Sequence, residues 1–370
     1  MLSFLLACTA PDPVDPPDIE TGLDEDTGPF EQVFPATAED VSDKMEGIRE
    51  RNDLPAVGGA RIDEGVVTAL GVSGVRARDE EAAAMWNDKW HLGSCTKAMT
   101  GTLVARLVEQ GVLSWDEPLS TLLPDLDLDE GDAALTSTQL LSHQAGLPTD
   151  IPTLIWSELW KDGDVMEQRA WFAEEILALD SAQPIGTYAY SNSGYMVVGA
   201  ALEQRTGKSW EELLTDEVFE PLGMDSCGFG NAAVDPDEPD QPWPHLSDGT
   251  PVAPGRGDDN PPALGPAGTV HCSLIDWGRF VSVHVAEDAD YLPAEQWEHL
   301  HTPAVDDYAM GWGVYERSWA DGTVYTHTGS NTMNYAVVWA APELGSAYLA
   351  VTNQGDSFSA MDSVIAKLIE

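Results

Sequence analysis

Apolar residues recur at helical spacing through Ala98, Leu103, Val104, Leu107 and Val108, after an entry at Gly93-Ser94 and before a stop at Gly111. This pattern predicts a helix that opens at Ser94. The same period predicts helices over Ala38 to Arg51, Trp171 to Leu179, Tyr195 to Thr206, Trp210 to Phe219 and Ser273 to Val285, with a last one from Ser359. Alternating or β-branched runs mark strands at the two ends of the chain. Ala56 to Ile62 and Val66 to Val75 read as a hairpin turned by Asp63-Glu64-Gly65, and Thr323 to Thr328, Met333 to Trp339 and Ala347 to Thr352 read as three further strands. Between Asp225 and Gly268, Pro, Gly and Asp crowd out any period, which predicts a long wandering segment on the surface. Strands at both ends with helices between them predict an α+β fold: one antiparallel sheet formed by N- and C-terminal strands, flanked by helices, with a mainly helical region inserted from about residue 95 to about residue 290.

Composition narrows the function classes. With 370 residues, 43% of them apolar, the chain can bury a full core. It carries 64 acidic against 17 basic residues, a formal charge of -47, so nucleic acid and anionic membrane surfaces are excluded as partners on electrostatic grounds. Such a surface suits saline or acidic-glycan surroundings, and equally well simply keeps a protein soluble.

The N-terminal residues Leu5-Leu6-Ala7-Cys8 resemble a bacterial lipobox, in which the cysteine is lipidated and becomes the new N-terminus. No basic segment precedes the short apolar run, which points to a start further upstream. Residues 1–8 are thus expected to be the remnant of a lipoprotein signal. Residues 9–36, acidic and proline-rich, form a tether, and 37–370 the folded domain. The expected location is the bacterial cell envelope, with membrane attachment only through lipid on Cys8. Four cysteines are too few for a disulfide scaffold. Cys95 reads as a small buried residue, whereas Cys227 and Cys272 could pair in an oxidising compartment.

Three short motifs carry candidate chemistry. A helix opening at Ser94 places Lys97 one turn on, on the same face, so the amine can reach the Ser94 hydroxyl. A buried lysine with a lowered pKa can take that proton, and the helix N-terminus offers N–H groups to an oxyanion. The plainer reading is a capping serine and a solvated lysine. Farther on, Thr187-Tyr188-Ala189-Tyr190-Ser191-Asn192-Ser193 forms a turn into the next helix. There Tyr190 can shuttle protons if nearby cations lower its pKa, and Asn192 can orient an amide; the plainer reading makes Asn192 or Ser193 a helix cap. Finally, His327-Thr328-Gly329-Ser330 ends a strand, where Gly329 admits a substrate backbone and the Ser330 N–H can serve as a second oxyanion donor, or the four residues simply make a turn. No H-E-x-x-H spacing occurs, so neither metal nor cofactor is expected.

Taken together and in order, Ser94-x-x-Lys97, Tyr190-x-Asn192 and His327-Thr328-Gly329 resemble the three signature motifs of the penicillin-recognising serine hydrolases, in the branch of class C β-lactamases, D-Ala-D-Ala carboxypeptidases and related esterases. Leu140 to Leu147, Gly111 to Pro118 and Pro266-Ala267-Gly268 add to the resemblance, which runs from about residue 40 to the C-terminus. It implies a β-lactamase/transpeptidase-like fold and an acyl-enzyme on Ser94. Lys97 is then the activating neighbour and Tyr190 the proton shuttle. Asn192 would hold the substrate amide, Thr328 its carboxylate, and the N–H groups of Ser94 and Ser330 its oxyanion. The implied substrates are D-amino-acid peptides, β-lactams or small esters. His327 departs from the lysine of class C lactamases and is similar to the peptidase and D-aminopeptidase members, so carboxypeptidase or esterase chemistry is expected over efficient lactam hydrolysis. His143 is expected to be a satisfied interior histidine. The alternative is a non-catalytic sensor or scaffold, against which the intact Ser94, Lys97 and Tyr190 speak.

Overall fold

The computed structural model describes residues 35–370; the lipobox at Cys8 and the tether as far as residue 34 lie outside the described residues. Three strands come from the N-terminal end: β1 (Glu39–Asp40), β2 (Ala56–Asp63) and β3 (Val66–Gly74). Three short ones follow, β4 (Trp90–His91), β5 (Gly228–Phe229) and β6 (Val270–Cys272). The C-terminal end supplies β7 (Gly313–Arg317), β8 (Gly322–Ser330), β9 (Tyr335–Ala341) and β10 (Ser346–Thr352). They form a seven-stranded sheet in the order β1-β3-β2-β10-β9-β8-β7 and a small sheet in the order β4-β6-β5.

The expected α+β architecture is present: N- and C-terminal strands join through β2 and β10, which run antiparallel with Gly59 opposite Ala350. Two details differ from the pattern reading. The sheet is antiparallel except at one edge, where β1 runs parallel to β3. This short strand uses the residues read as the start of the first helix, which instead spans Ser42–Asn52. The cause is local, because the Asp40 carboxylate accepts the Ser42 N–H at 2.9 Å and Val41 donates its N–H to Leu70 of the sheet at 2.9 Å.

Helices cover both faces of the sheet. Met45 and Ile48 of Ser42–Asn52 and Met361, Val364 and Leu368 of the C-terminal helix Phe358–Ile369 bury one face with Val57, Val337 and Tyr348. The other face packs on Leu274–Ala286 and on the helical region, with Leu349, Val351, Leu103, Trp277 and Phe280 in one core. Among the described residues, no helix is long and apolar enough to cross a membrane.

The segment 225–268 is irregular, as its composition predicts, and although many of its residues are exposed, part of it turns inward. Trp243, His245 and Asp259 are buried within it, because His245 accepts the Arg78 N–H at 2.9 Å and hydrogen-bonds the Asn353 carbonyl at 2.8 Å. A disulfide between Cys227 and Cys272 closes this segment and ties its start to β6. Its end forms the turns Pro262–Leu264 and Gly265–Gly268 beside the nucleophile helix.

Candidate active site

Ser94 sits in a tight turn, Gly93–Cys95, that runs directly into the helix Thr96–Glu109. That entry requires glycines. Gly93 has φ +50°, and a Cβ there would lie 2.3 Å from the Ser330 nitrogen. On the opposing strand, a Cβ on Gly329 would lie 1.9 Å from the Leu92 carbonyl oxygen and 2.8 Å from the Ser94 nitrogen. Only two bare backbones fit here. The consequence is that β8 lies directly against the serine turn, with the N–H groups of Ser94 and Ser330 in one neighbourhood.

Lys97 is fully buried one helical turn beyond Ser94. Its Nζ lies 3.0 Å from Ser94 Oγ, 2.8 Å from Asn192 Oδ1 and 2.7 Å from the Ala267 carbonyl oxygen. Burial holds the amine down to about 7. The two oxygens of Asn192 and Ala267 accept only, so in its neutral form the amine gives them its two N–H bonds and turns its lone pair to the Ser94 hydroxyl, whereas in its charged form it donates to Ser94 Oγ as well. A solvated lysine is thereby ruled out.

The turn before the helix Asn192–Thr206 brings in Tyr190 and Asn192. Its cap is Ser191, which accepts the Ser193 N–H at 3.2 Å, and this leaves Asn192 free to meet Lys97. The Tyr190 ring centroid lies 5.0 Å from Lys97 Nζ, and its phenol is stabilised in the charged form by the neighbouring Ser94 hydroxyl. Burial pushes its phenol up, so at neutral pH it is a proton donor rather than a phenolate. The expected lowering by nearby cations does not occur, because burial of the phenol outweighs every favourable interaction with its charged form.

Thr328 is exposed on β8, whereas His327 is buried. His327 Nδ1 lies 2.6 Å from the Thr328 carbonyl oxygen and Nε2 lies 3.0 Å from the Tyr308 hydroxyl. A carbonyl only accepts, so Nδ1 carries the proton and Nε2 accepts from Tyr308. Burial, aided by Lys97, lowers its pKa to about 3, so His327 is neutral with both nitrogens engaged inside the protein. His143 is only half satisfied. Nδ1 accepts the Ser191 N–H at 3.1 Å, while the buried Nε2 has no hydrogen-bond partner among the described residues. Its ring packs on Tyr190 at 4.3 Å and Tyr308 at 4.7 Å, which makes it a support for the Tyr190 turn.

A cavity of about 350 Å³ opens at Ser94 and Asn192, with Trp156, Trp160 and Met333 on its apolar side and Asp259 and Asn331 on its polar side. The geometry therefore joins a serine, a buried lysine of lowered pKa and a tyrosine donor beside a substrate-sized pocket that Ser94, Asn192 and Ser330 line.

The Beta-lactamase family model matches residues 41–368 of the chain. The chain belongs to the Beta-lactamase family. Penicillin-binding protein 4 of Amycolatopsis lactamdurans is 26% identical over 364 residues, covering 88% of each chain. Among solved structures, the octameric penicillin-binding protein homologue from Pyrococcus abyssi aligns with TM-score 0.71 and 23% identity, over 88% of this chain and 77% of that one. A D-amino acid amidase from Ochrobactrum anthropi SV3 aligns with TM-score 0.69 and 21% identity, over 88% of this chain and 97% of that one. Both likenesses bear on the Beta-lactamase fold.

Pattern reading missed Tyr308, His91, Asp259 and Asn331, all buried at or beside this Beta-lactamase family site. Tyr308 stands in a loop without period, and Asp259 is one acid among several in an acidic stretch. His91 alone carried a signal, its place three residues before Ser94.

Proposed function

We propose that the chain is a serine hydrolase that acylates Ser94, and that its substrates are esters or amides of D-amino-acid peptides in preference to β-lactams. The observation that carries this reading is the placement of Lys97 Nζ between Ser94 Oγ, Asn192 Oδ1 and the Ala267 carbonyl. As Ser94 Oγ bonds to the substrate carbonyl carbon, its proton passes to the Lys97 amine, and the carbonyl oxygen takes its charge beside the N–H groups of Ser94 and Ser330. Tyr190 gives its proton to the departing alcohol or amine and is refilled from Lys97. Water then attacks the Ser94 ester along the reverse path. Asn192 and Thr328 are assigned to the substrate's polar groups, Thr328 by its exposure. The names of the relatives, a penicillin-binding protein and a D-amino acid amidase, support the D-amino-acid class. The Cys227–Cys272 disulfide supports an exported location in an oxidising compartment, with Cys8 as the lipid attachment point.

Two outcomes are expected. The kcat/KM of a neutral ester should rise through roughly pH 7, because Lys97, held at about 7, must lose its proton before it can act as base. A pH–rate profile that stays flat from mildly acid to alkaline conditions would contradict a discharged lysine as base. Because His327 is neutral and internally bonded, no cation at that position meets a substrate carboxylate, a loss of about 2 kcal/mol or roughly 30-fold. Side-by-side kcat/KM values for a chromogenic cephalosporin and a neutral p-nitrophenyl ester should therefore favour the ester by at least that factor. Equal values would overturn the preference.

A further inference from the structure

Asp259 has no part in the acyl-transfer steps, yet it is 8% exposed and forms part of the wall of the cavity at Ser94. Its Oδ1 is the meeting point of two arms. On one side Oδ1 lies 2.8 Å from His91 Nε2. His91 Nδ1 accepts the Gly93 N–H at 3.1 Å, so Nδ1 is bare and the ring proton sits on Nε2, which is in close polar contact with the carboxylate but too oblique to it for a hydrogen bond. Gly93 is the residue before Ser94, and its φ of +50° sets the direction of the Ser94 N–H. On the other side Oδ1 accepts from Asn331 Nδ2 at 2.9 Å. Asn331 Oδ1 in turn accepts the N–H groups of Met333 at 3.2 Å and Asn334 at 2.9 Å, which shapes the loop leaving Ser330. The Ser330 hydroxyl closes that loop on the Asn334 carbonyl at 2.7 Å. The carboxylate also accepts the Asn260 N–H at 2.7 Å, which fixes it to its own segment.

Two N–H groups aimed at one point repel each other until an oxyanion arrives, so their spacing must be imposed from outside. From this convergence we propose that Asp259 is a positioning residue, clamping through His91 and Asn331 the two backbone segments whose N–H groups form the oxyanion site. The proposal rests on the acyl-transfer reading of Ser94. It places the effect of Asp259 in the transition state, when charge develops on the carbonyl oxygen, and not in ground-state binding. The fold supplies the two amides; the carboxylate holds them at working distance.

The test uses the full chain with Asp259→Asn, which weakens the His91 arm, Asn331→Ala, which opens the other, Asp259→Ala, and the double variant Asp259→Ala/Asn331→Ala. With a neutral p-nitrophenyl ester, the Asp259→Asn and Asn331→Ala variants should lose about 10- to 100-fold in kcat with KM within about two-fold of wild type. Affinity for an arylboronic acid, which forms a tetrahedral anion on the serine, should fall in proportion to kcat. The double variant should be little worse than Asp259→Ala alone, because the two changes break one connection. Should Asp259→Ala fail to fold, Asp259→Asn takes its place in the cycle. Unchanged kcat and boronate affinity, losses confined to KM, or fully additive losses would overturn the clamp. A wild-type protein that is not acylated by the ester would instead overturn the reading of Ser94 itself.

Discussion

Lys97→Ala and Lys97→Arg are each expected to lower kcat/KM for a neutral ester by at least about 10⁴-fold, since a nucleophile and its base act as a unit. Lys97 is fully buried, and no other group in the site can replace it. Burial pushes the Tyr190 phenol up, so it gives a proton more readily than it takes one. The Nε2 of His327 is occupied by Tyr308. Arginine keeps the positive charge but cannot be deprotonated, so it separates the need for a base from the need for a cation. Steady-state rates at mildly alkaline pH, with circular dichroism to confirm folding, make the measurement. An arginine variant with substantial activity would show that Lys97 acts by its charge.

Arg169→Ala is expected to cost about 3–5 kcal/mol of stability, the range for opening a buried ion pair from one side. Arg169 is fully buried and pairs with Glu203 and Glu211, while its Nε and Nη2 each donate at 3.2 Å to the carbonyls of Ala263 and Pro262. It thus ties the helices Val165–Leu177 and Asn192–Thr206 to the turn Pro262–Leu264, which leads directly into the turn Gly265–Gly268 that carries Ala267, the acceptor of Lys97. Burial already raises the Glu203 pKa against the pull of Arg169. Without the guanidinium it rises further. A carboxyl whose folded pKa exceeds its unfolded value binds more protons folded than unfolded, so it destabilises above that range and the deficit shrinks as the pH falls. Urea titrations of wild type and Arg169→Ala at neutral and mildly acid pH should show that narrowing. A deficit independent of pH would mean that Glu203 does not carry the cost.

The nucleophile region was legible because its chemistry and its period coincide: a serine and a lysine one turn apart on a helix must share a face. The same holds for the sheet, whose end strands alternate clearly enough to be paired. β7 escaped notice because Gly313–Arg317 is an edge strand with polar and partly exposed positions, so it shows no alternation. The three strands of the small sheet are only two or three residues long, below the length at which a period exists. The strand read from Met333 starts instead at Tyr335, since the Asn331 side chain captures the Met333 and Asn334 N–H groups. Composition placed 225–268 on the surface. Its role as a wall of the site depends on partners such as Arg78, Asn331 and Asn353, each far away in sequence. His327 stands out in the sequence as a departure from lysine, but its Tyr308 partner comes from a loop that only the folded chain brings near.

The most direct test of the account is acid quenching of the protein during turnover of a slowly released ester or penicillin, followed by peptide mass spectrometry. The account predicts an acyl mass on the peptide that contains Ser94, absent from a folded Ser94→Ala protein that has also lost turnover. An acyl group on another residue, or a Ser94→Ala protein that still turns over the ester, would contradict it.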